Sequence, residues 1–64
     1  MGLGVNVRRL REKAGMQQAE LADKVRISRT MMCQIEHSMK IPSLPVGVAI
    51  AKALGTTAEK LMEE

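Results

Sequence analysis

Cys33 and His37 stand four residues apart, a spacing that one turn of α-helix closes, so a thiol and an imidazole would share a face. Such a pair can begin a metal site, and Met31, Met32 and Met39 add sulfur donors of the kind that suit Cu(I). Structural zinc, however, asks for four ligands, and the chain holds one Cys and one His. No metal is therefore expected. Met32 reads better as core filling, because a flexible thioether fits irregular gaps. A redox role for Cys33 would need an activated thiolate, and a mid-helix position receives little help from the helix dipole. Nothing else assembles a catalytic set: there is no acid–base pair at a useful spacing, no Gly-rich phosphate loop and no nucleophile with its base. Neither an enzyme nor a cofactor is expected.

The helix that carries Cys33 has a second kind of chemistry on its outer side. With Met32 and Ile35 turned inward, Thr30, Cys33, Gln34 and His37 fall on the opposite side, and Arg29 sits at the N-terminal end. This is a polar face with almost no charge. The floor of the DNA major groove presents hydrogen-bond donors, acceptors and thymine methyl groups to one α-helix. Gln pairs two ways with adenine, Arg pairs two ways with guanine, and Thr offers a hydroxyl or a methyl. The pattern alone does not separate this reading from an ordinary solvated surface.

Short elements must position that face. Leu3, Val7, Leu10 and Ala14 follow an amphipathic helical spacing, and Gly15 stops it. Residues Gln18 to Val25 read as a second helix with Leu21, Ala22 and Val25 inward. Ser28 is a good N-cap for the third, running to about Glu36. After the loop HSMKIPS, Ser43 and Pro45 suit the start of a fourth helix, Leu44 to Leu54, with Leu44, Val48, Ala51 and Leu54 inward and Gly47 and Ile50 alongside. Gly55 ends it, and Thr56 or Thr57 caps a last helix carrying Leu61 and Met62. No segment alternates with the period of a strand. The expectation is an all-α chain of five short helices.

Composition bounds the partners. Sixty-four residues make one domain, 1–64, and without Phe, Tyr or Trp the core must come from aliphatic side chains and six Met. Residues 1–58 hold nine Lys and Arg against four acids, an excess of five, while Lys60 stands against Glu59, Glu63 and Glu64. A basic body favours a polyanionic partner. One cysteine gives no internal disulfide, and no apolar run suits a signal peptide or a membrane span. A cytoplasmic chain is expected.

From Gln18 the run QAELADKVRISRTMMCQIE resembles the helix-turn-helix of the Cro and phage-repressor (Xre-like) family. Gln18 takes the first position, Leu21 and Ala22 the fourth and fifth, Val25 and Ile27 flank the turn, and Met32 and Ile35 supply later core positions. The likeness continues through LREKAGM upstream and through IEHSMKIPSL and IAKALG downstream, so it spans nearly the whole chain. It implies a compact five-helix, lambda-repressor-like domain that binds double-stranded DNA sequence-specifically, as a repressor and as a homodimer. The pairing surface is expected to involve helix five and the loop before it. By position it implies that Gln18 grips a phosphate, that Arg29, Thr30, Cys33 and Gln34 face base edges, and that Ser28 and the loop from His37 to Lys40 approach the backbone. It also implies an ion pair between Arg11 and Glu36. Arg26 and Ser38 stand where the family usually has Gly, and Gln17 stands where Ser or Thr would cap the second helix. A rival from another class is a protein-interaction module, antitoxin-like or anti-repressor, for which Met31, Met39 and an apolar face near helix five would serve.

Overall fold

The computed structural model describes residues 2–63. Five helices follow one another: α1 (Leu3–Lys13), α2 (Gln18–Val25), α3 (Arg29–Glu36), α4 (Leu44–Ala53) and α5 (Ala58–Leu61). Among the described residues there is no strand, and no helix is long and apolar enough to cross a membrane.

Four of the helix ends close in one way, with a left-handed residue and two backbone bonds to the last turn. At Gly15 the N–H donates to the Glu12 carbonyl and that of Met16 to Arg11; at Gly55 the matching bonds run to Lys52 and, from Thr56, to Ala51. Arg26 and Ser38 close α2 and α3 identically, with φ of 62° and 60°. Ile27 N–H reaches the Ala22 carbonyl, and Met39 N–H reaches Gln34. The turn is therefore of the glycine type without the glycine, at a strain of about 1–2 kcal/mol per residue.

Helix starts are held by side chains. The Ser28 hydroxyl accepts the Met31 N–H at 3.0 Å, and Thr57, not Thr56, caps α5 by accepting the Lys60 N–H at 3.1 Å. At α2 the Glu20 carboxylate reaches back to accept the Gln17 N–H at 3.3 Å. That bond supports a start that Gln17 was expected to leave weak.

Val7, Leu21, Met32, Ile35, Ile50 and Leu61 are the largest fully buried side chains. Each contributes about 1.5–3 kcal/mol on leaving water. Helix α2 packs on both α3 and α4, and Ala22 lies buried among them, where a larger side chain would force the elements apart.

Two readings of the inner faces change. Leu44 is 77% exposed and Val48 is exposed too, whereas Ile50 and Ala51 are buried and Val46, Ala49, Ala53 and Leu54 pack beside them. Helix α4 is apolar almost all round, so its periodicity did not select a face, and the packing against α2 and α5 does. Met62 is 68% exposed because α5 ends at Leu61, leaving Met62 just past the last turn. Ala14 likewise falls beyond α1 and is exposed.

Two features of α1 escaped the pattern. Gly4 lies so close to the end of α3 that an added Cβ would stand 2.5 Å from the Ile35 carbonyl oxygen and 2.8 Å from the Ser38 Oγ. Buried Asn6 donates through Nδ2 to the carbonyls of Leu61 at 2.7 Å and Glu63 at 2.6 Å, and its Oδ1 accepts from Arg9 Nη2 at 3.2 Å. It thereby ties the first helix to the last and satisfies carbonyls that a short helix leaves open.

Candidate nucleic-acid interface

Helix α3 is set in place by one carboxylate. Glu36, at the C-terminal end of α3, is 5% exposed. Its Oε2 accepts Arg11 Nε at 2.7 Å and its Oε1 accepts Arg11 Nη2 at 3.0 Å, a two-pronged pair. Arg11 Nη1 donates onward to the Met16 carbonyl at 2.8 Å, which pins the loop between α1 and α2. Hydrogen bonding to Glu36, opposed by burial and aided by the charges of Glu36 and Glu12, raises the Arg11 pKa above its ordinary value. The expected ion pair is thus present and almost closed to water, with side-chain exposures of 11% and 1%.

Glu36 has one further partner. Gln18 Nε2 donates to Oε1 at 3.2 Å, so the side chain expected to grip a phosphate is already anchored on the inside. Anchoring takes one of its two amide protons and leaves the second, with the carbonyl oxygen, for other partners.

Gln18, Arg29, Thr30, Cys33 and Gln34 together line an open hollow of about 330 Å³ on the outer side of α3. Five of the eight residues expected to meet DNA are therefore brought to one surface, with no acidic side chain in its lining. Ser28 adjoins this surface as the N-cap of α3, its oxygen occupied by the Met31 N–H but its hydroxyl proton free to be donated. His37 folds back along the helix: Nδ1 lies 2.9 Å from the Cys33 carbonyl oxygen and 3.6 Å from Cys33 Sγ. That contact leaves Nε2 as the outward atom.

Lys40 lies apart from that cluster. It lines a different hollow, of about 320 Å³, with Leu3, Gly4, Ile35, Ser38, Ile41 and Met62. A second hollow of about 210 Å³ shares Leu3, Ile41 and Met62 and continues past Leu44 and Gly47. The result is an apolar face beside the C-terminal end of α3, on which Ile41 is 87% exposed. Of the two arginines on the outer side of α1, Arg9 is held by Asn6 and Arg8 pairs with Glu12 at 3.3 Å in full view of water. Among the described residues no three His, Cys, Asp or Glu come together as a metal cluster.

Known proteins share this arrangement. The P22 c2 repressor in complex with a synthetic operator superposes with a TM-score of 0.93 at 28% identity, over 98% of this chain and 96% of that one. The DNA-binding domain of the P22 c2 repressor in solution gives 0.91 at 30% identity, over 95% and 80%. The clp gene regulator ClgR of Corynebacterium glutamicum gives 0.88 at 27%, over 92% of this chain but 63% of the ClgR chain, so this chain spans less than two thirds of that regulator. No curated protein matches. The helix-turn-helix family profile matches residues 7–61. Fold and profile define the class, DNA-binding transcriptional regulators. The chain belongs to the Xre-like helix-turn-helix family, that of Cro and the phage repressors.

Proposed function

We propose that the chain is a sequence-specific repressor that binds operator DNA as a homodimer, with α3 in the major groove. The observation that carries this reading is the hollow formed by Gln18, Arg29, Thr30, Cys33 and Gln34, which presents amide, guanidinium, hydroxyl and apolar groups without a carboxylate. Arg29 and Gln34 pair with base edges, while Ser28, the Nε2 edge of His37 and Lys40 approach phosphates. The P22 c2 repressor is seen on its operator, which supports the same mode here.

A second copy covers the apolar face on which Ile41, Leu44 and Met62 lie exposed beside half-buried Leu3, an exposure that favours a protein contact. A two-fold dimer of this motif places its half-sites about one helical turn apart, roughly 34–36 Å. The same exposed face favours one rival, an interaction module that binds an unlike protein and leaves DNA alone.

Selection of duplexes from a random pool tests the reading directly. The expected outcome is a palindromic motif, bound with an affinity that falls steeply as salt rises because phosphate contacts release counterions. A flat salt response, or no enrichment, would favour the rival. Ile41→Asp in sedimentation should convert the dimer to monomer and abolish the preference for paired half-sites.

A further inference from the structure

We infer that Asn6 is a positioning residue for the pairing face: by holding the main chain on either side of Met62, it aims that side chain at the second copy. The inference rests on the reading that Ile41, Leu44 and Met62 meet a second copy, and it names what builds that face.

Helix α5 cannot set Met62 by itself. It has four residues, far short of the roughly 12–15 at which an isolated helix becomes even marginal in water. Thr57 caps its start, but its last main-chain bonds are long. The Met62 N–H is shared between the Ala58 and Glu59 carbonyls at 3.2 Å each, and the Glu63 N–H reaches Lys60 at 3.2 Å. The Asn6 bonds are shorter. Its Nδ2 donates to the Leu61 carbonyl at 2.7 Å and to the Glu63 carbonyl at 2.6 Å, so both amide protons are used. Its Oδ1 accepts from Arg9 Nη2 at 3.2 Å, which fixes the rotation of the amide.

The two anchored carbonyls flank Met62. Leu61 is fully buried, whereas Met62 is exposed and lines both hollows of the apolar face. A thioether side chain is flexible, so a fixed main chain is what keeps it on one line. A buried amide is a costly occupant of position 6 unless its bonds are used, because an apolar side chain there would extend the stripe of Leu3, Val7 and Leu10. The amide contributes direction, which apolar packing of α1 on α5 would not supply.

The test separates pairing from folding. Sedimentation gives the dimer constant, and binding to a duplex with one half-site gives the affinity of a single copy. Asn6→Ala should weaken pairing by about tenfold, part of what burying a Met side chain contributes, with single-half-site affinity unchanged. Val25→Ala, which truncates the core on α2 away from the face, should lower the melting temperature without weakening pairing. In a Met62→Ala background, Asn6→Ala should have no further effect on pairing, because the side chain it aims is gone. Circular dichroism checks that each variant is folded, and Asn6→Ser, which keeps one donor, replaces Asn6→Ala if that chain does not fold. Equal weakening by Asn6→Ala and Val25→Ala, or an effect that survives the loss of Met62, would overturn the positioning role while leaving the homodimer intact. A wild-type chain that stays monomeric and shows no preference for paired half-sites would remove both.

Discussion

Replacing Glu36 by alanine removes the acceptor of three hydrogen bonds at once: Arg11 Nε at 2.7 Å, Arg11 Nη2 at 3.0 Å and Gln18 Nε2 at 3.2 Å. It also leaves the Arg11 guanidinium charged, largely enclosed and holding only the Met16 carbonyl. Breaking an enclosed pair from one side costs about 3–5 kcal/mol. A 64-residue domain has a total stability of about 3–10 kcal/mol at ordinary values per residue, so this one change takes a third or more of it. The pair itself is a different quantity. Arg11→Met combined with Glu36→Leu removes both charges and fills the space with apolar atoms, an exchange that is commonly neutral or better. The double variant should therefore recover most of what Glu36→Ala loses. Urea unfolding followed at 222 nm measures both, since a chain without Trp or Tyr gives no intrinsic fluorescence signal. A loss under about 1 kcal/mol for Glu36→Ala would mean that the pair behaves as an exposed one. A double variant no more stable than the single would mean that Arg11 and Glu36 act independently. Either result refutes the reasoning.

Gly4→Ala should destabilise by about 1–3 kcal/mol, measured in the same titration, because the new methyl meets the Ile35 carbonyl and the end of α3 must shift. Arg26→Gly should raise stability by up to about 1 kcal/mol, the relief of left-handed strain less the backbone entropy that glycine adds, and a thermal melt reads its sign. Gln34→Ala should relax base preference at one operator position by about 1–3 kcal/mol in a randomised-site assay without a uniform loss across sequences.

The helix bounds around the turn were legible because local signals agree there: Ser28 as a cap, Val25 and Ile27 on either side, Met32 and Ile35 inward. The Arg11–Glu36 pair came only through the family resemblance, since nothing local joins residues 25 apart in the chain. Helix α4 shows the limit of periodicity. A segment apolar on every side carries no phase, so the exposure of Leu44 and the burial of Ile50 are decided by what α2 and α5 leave open. Asn6 was missed although a signal existed, a single amide at a stripe position between Leu3 and Val7. The anchoring of Gln18 on Glu36 had no such signal, because it needs two helices already docked.

Helix α3 starts on the Ser28 hydroxyl cap and ends in the main-chain bonds of Ser38 and Met39, and neither boundary uses the side chains at 29, 30, 33 or 34. The outward residues can therefore be exchanged as a cassette without disturbing the pose of the helix. Under the proposed groove reading, retargeting this scaffold to new operators becomes a problem of four variable positions on a fixed mount.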